Sequence, residues 1–372
     1  MNQPQPFHRD PSDMLPERAP PITATGPIGW MRKNLFSGWA NTILTLIALY
    51  ILWLAIPSLI EWAFIDAQLS GTDRFACTGE GACWAWLDQR FGQFLYGFYP
   101  SEETWRINIA FVLLFPALAP WLIDNMPGER RLRWFSVFYP FIAAWLLVGD
   151  WFGILEGVTT NNLGGFSLNL TVGLAGIVLS LPAGVLLALG RQSRLPLIRW
   201  FSIIFIESVR GVPLITLLFV SNIILPIFLP PDFALDAVIR VIVMVTAFAS
   251  AYMAEVIRGG LQAIPKGQYE AAAAMGLGYW QSMRLIILPQ ALKISIPGIV
   301  NTFIGLFKDT TLVIVIGLFD ILGIANAMVS NPDWLGLSSE TYVFVALFFF
   351  SVCFSMSRYS IRLERKLDTD RR

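Results

Sequence analysis

Long apolar segments constrain the fold of this chain of 372 residues more than any other feature. A helix needs about 20 mostly apolar residues to cross the hydrocarbon core of a bilayer. Only 14% of the residues are charged, against about 25% in an ordinary soluble domain. The sequence therefore predicts an all-α integral membrane protein with about eight spans. The predicted spans are 40–60, 105–123, 134–152, 167–189, 201–225, 238–257, 294–316 and 341–360.

Lysine and arginine positions predict the orientation of these spans, because basic residues concentrate in cytoplasmic loops. With the N-terminus placed inside, 20 of the 26 basic residues fall in inside segments. Only Arg74, Arg90 and Arg106 fall outside, and Arg210, Arg240 and Lys308 lie in or at the ends of spans. We expect both termini in the cytoplasm.

The chain divides near residue 160 into two parts without a convincing internal repeat. We expect a cytoplasmic, disordered tail at 1–39, three additional spans at 40–160, a five-span core at 161–360 and a cytoplasmic tail at 361–372. The Pro-rich tail carries the only histidine, His8, which we interpret as a solvated residue. The sequence contains no Cys/His cluster with metal spacing, and a formal net charge of zero gives no basic surface for nucleic acid.

The long outside loop, 61–104, contains Cys77 and Cys83. An oxidising compartment outside the membrane would favour a disulfide, and two free, half-buried thiols are the alternative. The loop is also rich in aromatic residues, namely Trp84, Trp86, Tyr96, Phe98 and Tyr99. We expect them to seat in the membrane interface, with contact to another protein as the alternative.

A polar stretch rich in small residues, 265–289, separates two of the predicted spans on the cytoplasmic side. Its specified positions keep fixed offsets: Glu270-Ala271-Ala272, then Gly276, then Ile286 and Leu288-Pro289. This spacing resembles the EAA loop of ABC importer permeases, which docks onto the ATPase subunit. The alternative is an ordinary loop helix that binds nothing.

The residues of this stretch also predict its conformation. Gln268 to Met275 are strong helix formers, and Gly276 can end that helix in a left-handed conformation. We expect a second short helix from Tyr279 to Ile287 that ends at Pro289. Glu270 and Arg284 are the candidate charged contacts to a partner.

Other stretches resemble the polar amino-acid subfamily of these permeases, over about 160–365. They are Asn162-Leu163-Gly164-Gly165, Glu207 to Leu214, Ala251 to Gly260, Ile264 to Gln268 and Lys308-Asp309-Thr310-Thr311-Leu312. Val212 and Thr311 depart from the residues usual in the subfamily. The three additional spans match the layout of the longer permease of general L-amino-acid importers.

The resemblance implies a subunit of a heteromeric importer. Its expected partners are an ABC ATPase subunit dimer, a sister permease, a periplasmic amino-acid-binding protein, the L-amino-acid substrate and the lipid bilayer. The sequence has no Gly-x-x-x-x-Gly-Lys-Ser/Thr phosphate loop, so we expect no catalytic residues, no metal and no cofactor in this chain, with ATP bound by the partner. A secondary transporter driven by an ion gradient is the alternative.

Ionisable side chains in the spans are the remaining candidates, because charges in a membrane are costly and are usually paired or functional. Glu207 and Arg210, three positions apart, predict either an ion pair that orders the helix or a gate or coupling contact. Glu255 and Arg258 repeat that spacing and carry the same alternatives.

Lys308 and Asp309 lie within a predicted span and, being adjacent, point about 100° apart on a helix. We expect them not to pair with each other. Either they line the substrate path, or they pair between helices to couple subunits.

Overall fold

The computed structural model describes residues 26–123, 126–150, 153–228, 230 and 235–367. Most of the predicted tail 1–39, including His8, lies outside the described residues, and so does the end of the tail 361–372. The described part consists of helices joined by turns and loops, with isolated bridges that include Gly97–Leu163 and Gly165–Asp320. The all-α prediction is confirmed.

The α-helices of the described chain are numbered in order. They are α1 (Gly26–Asn34), α2 (Trp39–Ile60), α3 (Ala85–Tyr96), α4 (Thr104–Leu122), α5 (Glu129–Val148), α6 (Gly165–Arg191), α7 (Pro196–Arg210), α8 (Leu214–Phe219), α9 (Leu225–Phe228), α10 (Ala237–Ala263), α11 (Lys266–Ala274), α12 (Tyr279–Ser282), α13 (Leu288–Asp309), α14 (Ile321–Val329) and α15 (Ser338–Leu367). Wider π-helical turns follow α2, α8 and α12, at Glu61–Ile65, Val220–Ile224 and Met283–Ile287, and a 3₁₀ helix, Thr310–Ile316, follows α13.

Seven continuous helical segments in the described residues are long and apolar enough to cross a membrane. They are Trp39–Ile65, Ser101–Leu122, Glu129–Val148, Gly165–Arg191, Ala237–Ala263, Tyr279–Ile316 and Ser338–Leu367. Each overlaps one of the predicted spans. The bent pair α7 and α8–α9 brings the number to eight if it is one span.

The predicted span 201–225 corresponds to this bent pair. The chain bends by 103° between Arg210 and Leu214, where the sequence reads Gly211-Val212-Pro213. Proline has no N–H to donate and disfavours the helical conformation of the residue before it. Glycine adds a further loss of helix propensity. These adjacent breakers end α7 at Arg210, and α8 starts in a new direction.

The described residues separate into two compact units, which fall within 1–68 with 78–82 and within 69–77 with 83–372. In the first unit, α2 has no buried residue, as expected for a helix whose apolar surface meets lipid. The backbone of Ala82 pairs with Trp62 and Gln68 at 2.7 and 2.8 Å.

In the second unit, α6 and α10 pack closely through small residues. A Cβ added at Gly184 would lie 2.6 Å from the Met253 side chain, and one at Gly176 would lie 3.2 Å from Val245. Ser250, Ala251 and Ala254 on the facing side of α10 are buried. Small residues let helix backbones approach where lipid provides no hydrophobic drive between helices.

Residues 83–99 form a cap that packs on the core of the second unit. Trp86 is buried and lies 5.3 Å from Phe94 and 5.8 Å from Phe344, measured between ring centroids. Tyr99 is also buried. The expectation that the loop aromatics seat in the membrane interface is therefore wrong for Trp86 and Tyr99, because both find an apolar surface within the chain. Trp86 packs with residues of α14 and α15, and Tyr99 belongs to the apolar cluster that includes Ile107 and Leu163.

Two further contacts hold the cap. The structure joins Cys77 to Cys83 by a disulfide. The backbone N–H of Cys83 donates to Glu340 Oε1 at 3.2 Å, so the first turn of α15 binds the cap. Gly97, with φ +69°, lies so close to Gly164 that a Cβ would come within 2.3 Å of its Cα.

A buried polar junction connects α6 with the turn before α14. The Asn169 amide donates to Thr310 Oγ1 at 2.7 Å and to Asp320 Oδ2 at 3.2 Å. Asn169 Oδ1 accepts from the Ile321 N–H at 2.9 Å. Burial, partly opposed by hydrogen bonds from the Gly323 N–H and the Asn169 amide, raises the pKa of Asp320 to about 6. The junction fixes the end of α13 relative to α6.

Candidate functional site

Helix α11 projects from the end of α10 and ends in a defined capping motif. Gly276 has φ +72°, its N–H donates to Ala273 O at 2.9 Å, and the Leu277 N–H donates to Ala272 O at 3.2 Å. This pair of bonds is the Schellman arrangement, which requires a left-handed residue at the glycine. The fixed offset from Ala272 to Gly276 therefore has a structural cause, and the predicted turn at Gly276 is confirmed.

The second helix of this segment continues beyond Pro289. After α12, the wide turn Met283–Ile287 leads directly into α13, giving one helical segment from Tyr279 to Ile316. A proline inside a regular α-helix removes a hydrogen bond and clashes with the carbonyl four residues earlier. The π-helical turn Met283–Ile287, just before Pro289, changes the backbone hydrogen-bond pattern from i→i+4 to i→i+5, so the helix can continue through the proline. The prediction that this helix ends at Pro289 is therefore wrong.

Most of the segment 265–289, which we call the coupling segment after its predicted role, is exposed, and Ala272, Met283 and Ile287 are its buried residues. Ala272 is fully buried, whereas Glu270, Ala271 and Arg284 are exposed. In the described chain neither Glu270 nor Arg284 forms a salt bridge. Both charges are available to a partner.

Large apolar side chains flank these charges. They are Met275, Tyr279, Trp280 and Leu285, with exposed fractions of 64, 52, 70 and 64%. We call them the apolar face of the coupling segment. Sequence reasoning missed this face, although an aromatic pair in a polar loop was a readable signal. An exposed apolar cluster rimmed by charge is typical of a protein interface.

Glu255 forms the centre of a charge cluster near the end of α10. Its carboxylate accepts from Arg191 at 2.8 Å and from Arg258 at 2.7 and 3.0 Å, and Arg210 lies 3.9 Å away. Arg191 also donates to Glu207 at 2.8 Å. Because these residues belong to α6, α7 and α10, the cluster ties the ends of all three helices together.

The expected partners within this cluster are partly corrected. Glu255 and Arg258 do pair. Glu207 and Arg210, three apart on α7, do not pair in the described chain, because Arg191 reaches Glu207 from α6 and the Arg210 guanidinium lies over the Tyr252 ring, 5.4 Å from its centroid. Arg191 was not predicted as a partner from the sequence, because only the packing of α6 against α7 and α10 brings Arg191 to Glu207 and Glu255.

Lys308 and Asp309 close α13, where it changes to the 3₁₀ helix. No salt bridge joins them in the part of the chain described, as expected from their angular separation. Lys308 is exposed, and Asp309 is half-buried. Asp309 lines a cleft of about 330 Å³ between α8, α10 and α13.

Seven or eight membrane-length helices with an exposed helical segment between two of them define a multi-span membrane protein. A family model described as "binding-protein-dependent transport system inner membrane component" matches residues 180–369. Just over half of the chain is matched, and the chain belongs to this family.

Relatives cover nearly the whole chain. The "inner membrane amino-acid ABC transporter permease protein YhdY" of Escherichia coli K12 is 51% identical over 92% of this chain and 93% of its own length. The "glutamate/glutamine/aspartate/asparagine transport system permease protein BztC" of Rhodobacter capsulatus is 46% identical over 97% of this chain and 98% of its own length. The additional N-terminal part is therefore shared with long relatives.

A solved structure is similar over about half of the chain. It is described as a crystal structure of an amino acid ABC transporter with histidines, and is 29% identical to this chain. It covers 54% of this chain and 92% of its own, with a TM-score of 0.49.

Proposed function

We propose that this chain is the permease subunit of an ATP-driven ABC importer that takes up L-amino acids, and that residues 265–289 couple it to a separate ATPase. The observation that carries the proposal is the coupling segment. Its capped helix presents Glu270, and the π-helical turn Met283–Ile287 presents Arg284, beside an exposed apolar face. The sequence contains no phosphate loop of its own.

The substrate class rests on the relatives. Both long relatives are named as amino-acid permeases, and they cover almost all of this chain. The family is binding-protein-dependent, which favours import driven by a partner ATPase over the alternative of a secondary transporter. The expected partners are an ATPase dimer, a sister permease and a periplasmic binding protein.

The orientation follows from the basic residues. Most of them fall on the side that carries the coupling segment. We place the coupling segment and both termini in the cytoplasm of a bacterium with an inner membrane, and the cap in the periplasm, where its disulfide is favoured. On the cytoplasmic side, the charge cluster of Arg191 and Glu255 lies at the end of α10, directly before the segment that contacts the ATPase.

The proposal is tested by purifying the tagged chain with its native partners in mild detergent and assaying the eluate for ATP hydrolysis. Glu270→Lys reverses an exposed charge and Trp280→Ala removes most of an exposed side chain, so neither disturbs the core. Each is expected to lower the copurified activity at least fivefold. Asp88→Lys, a charge reversal at an exposed residue of the cap, is the matched control and is expected to retain it. Unchanged ATPase association in both coupling variants would overturn the assignment.

A further inference from the structure

Basic residues are concentrated where α5 begins and where α15 ends. Residues 129–133 and 358–367 together contain seven of them, against the two carboxylates Glu129 and Glu364. We call the seven the basic patch: Arg130, Arg131, Arg133, Arg358, Arg362, Arg365 and Lys366. The basic patch therefore carries a clear excess of positive charge.

The end of α4 brings the two halves of the basic patch together. The Tyr359 hydroxyl donates to the Trp121 carbonyl at 2.6 Å, and the Arg133 guanidinium lies over the Trp121 ring, 5.9 Å from its centroid. The last four carbonyls of a helix have no partner within that helix, so Tyr359 satisfies one that α4 leaves open. Because Tyr359 lies between Arg358 and Arg362 on α15, this contact brings the arginines of α15 close to those of α5.

Most arginines of the basic patch have no carboxylate to neutralise them. Glu129 pairs with Arg133. In the part of the chain that the structure describes, four others are exposed and form no salt bridge: Arg130, Arg131, Arg358 and Arg362. Like charges repel, and an anion that bridges them relieves the repulsion. Because a guanidinium donates two parallel hydrogen bonds to a phosphate, a phosphate group suits the patch.

Exposed aromatic side chains beside the basic patch place it at the level of the lipid headgroups. Trp121, Trp134 and Phe354 are exposed, and the Arg358 guanidinium lies over the Phe354 ring. Tryptophan is enriched where a span meets the membrane surface. Helix α15 has 30 residues, which is about 45 Å along its axis and exceeds the hydrocarbon core of about 30 Å. Its basic last turns therefore extend into the headgroup region.

We propose that the basic patch binds the phosphate headgroup of an anionic phospholipid in the cytoplasmic leaflet. The leaflet follows from the orientation proposed above, and the inference goes beyond the proposed function because it does not depend on the solute carried. Clusters of Lys and Arg directly beside membrane spans attract anionic lipids. The patch is also continuous with the lipid-facing aromatic surface, which favours a lipid over a soluble protein. The bound headgroup bridges α5 and α15, and so ties the additional spans to the core.

The test is lipid binding to the full chain, purified with its native partners in mild detergent and titrated by native mass spectrometry. The probes are dioleoyl phosphatidylglycerol and dioleoyl phosphatidylcholine, which have the same acyl chains and differ in headgroup charge. We expect the first phosphatidylglycerol to bind at least about tenfold more tightly than phosphatidylcholine, and inorganic phosphate not to displace it. The double variant Arg131→Gln with Arg362→Gln is expected to weaken phosphatidylglycerol binding at least about fivefold.

The matched control is Arg194→Gln with Arg199→Gln. Both arginines are exposed between the end of α6 and α7 and form no salt bridge in the described residues, so this variant loses the same charge away from the basic patch. We expect it to keep its affinity within about twofold. In phosphatidylcholine both double variants are expected to unfold within about 2 °C of wild type, which separates a lost lipid site from a lost fold.

Three results would overturn the proposal. One is equal affinity of the wild-type protein for the two lipids, and another is an equal loss of phosphatidylglycerol affinity in both double variants. The third is a patch variant that keeps its phosphatidylglycerol affinity but loses a partner subunit on purification, since the basic patch would then be a protein interface.

Discussion

Arg191 and Glu255, 64 positions apart in the chain, are joined by a 2.8 Å hydrogen bond between Nη1 and Oε1. The same Arg191 nitrogen lies 2.8 Å from Glu207 Oε1. A single guanidinium therefore connects carboxylates on two other helices, just before the chain enters the coupling segment. Movement of α7 relative to α10 must stretch one of these bonds.

Replacing Arg191 is expected to weaken this end of the bundle. The side chain of Glu255 is only 17% exposed, so loss of one partner leaves a partly desolvated carboxylate that retains Arg258. We expect Arg191→Leu to lower the free energy of unfolding by about 2 kcal/mol. Thermal unfolding in detergent measures the change.

Arg199→Leu is the matched control for Arg191→Leu. Arg199 lies exposed on α7 and forms no salt bridge in the described chain. We expect Arg199→Leu to change the free energy of unfolding by less than about 0.5 kcal/mol. Equal losses in both variants would show that the bonds of Arg191 contribute nothing specific.

The attachment of the cap to α6 depends on Gly97. Its backbone, at φ +69° and ψ −125°, is in a region that only glycine adopts readily, and a Cβ would collide with Gly164. Gly97→Ala is expected to cost about 2 kcal/mol or more. Gly92→Ala, in the middle of α3 with open space around it, is expected to be neutral or to stabilise by up to about 1 kcal/mol. Denaturation of the two variants side by side checks both, and a neutral Gly97→Ala would contradict the close approach.

The cap disulfide predicts a specific labelling pattern. The chain has three cysteines, and with Cys77 bonded to Cys83 only Cys353 is free. Alkylation of the denatured protein without reductant should add one label, and alkylation after reduction should add three, as read by intact mass. Replacing both bonded cysteines by serine should cost about 2 kcal/mol and expose the cap to protease. Three labels without reductant would contradict the bond.

The buried junction at Asp320 predicts a pH dependence of stability. Burial raises the pKa of Asp320 to about 6, above its value of about 3.9 in an unfolded chain. Below pH 4 the carboxyl is protonated in both states. Between about pH 4 and 6 the unfolded chain ionises first, so this group favours unfolding by up to about 2–3 kcal/mol, and above pH 6 the contribution is constant.

Asp320→Asn should remove this slope. We expect the stability difference between wild type and Asp320→Asn to change between pH 4 and 7 and to be constant above it, as measured by unfolding at a series of pH values. Asp333→Asn, at a carboxylate whose side chain is 66% exposed, should leave the slope in place. An unchanged slope in Asp320→Asn would show that Asp320 titrates at its ordinary pKa.

The parts of the fold that depend on local sequence were predictable. Span positions follow from runs of apolar residues, and the turn at Gly276 follows from a glycine after a run of helix formers. The bend at 211–213 could also have been predicted from Gly211, Val212 and Pro213. Hydropathy averaged over the length of a span does not register a single proline. Pro289 shows the opposite error, because a π-helical turn accommodates a proline that a regular helix would not.

The parts that depend on packing were not predictable. Arg191 joins Glu207 and Glu255 only because three helices converge, and spacing within α7 favoured the wrong partner for Glu207. Trp86 is buried because α14 and α15, more than 230 residues later in the chain, cover it. The two neighbours Lys308 and Asp309 look equivalent in sequence, and only the cleft distinguishes them.

The central claim is that this chain imports amino acids by coupling to ATP hydrolysis on another subunit. The most direct test is uptake of radiolabelled L-glutamine by proteoliposomes that contain the complete importer and its binding protein. We predict accumulation with ATP inside, none with ADP, no effect of ionophores that dissipate ion gradients, and loss of uptake in Glu270→Lys. Uptake that proceeds without ATP and is abolished by ionophores would contradict the claim.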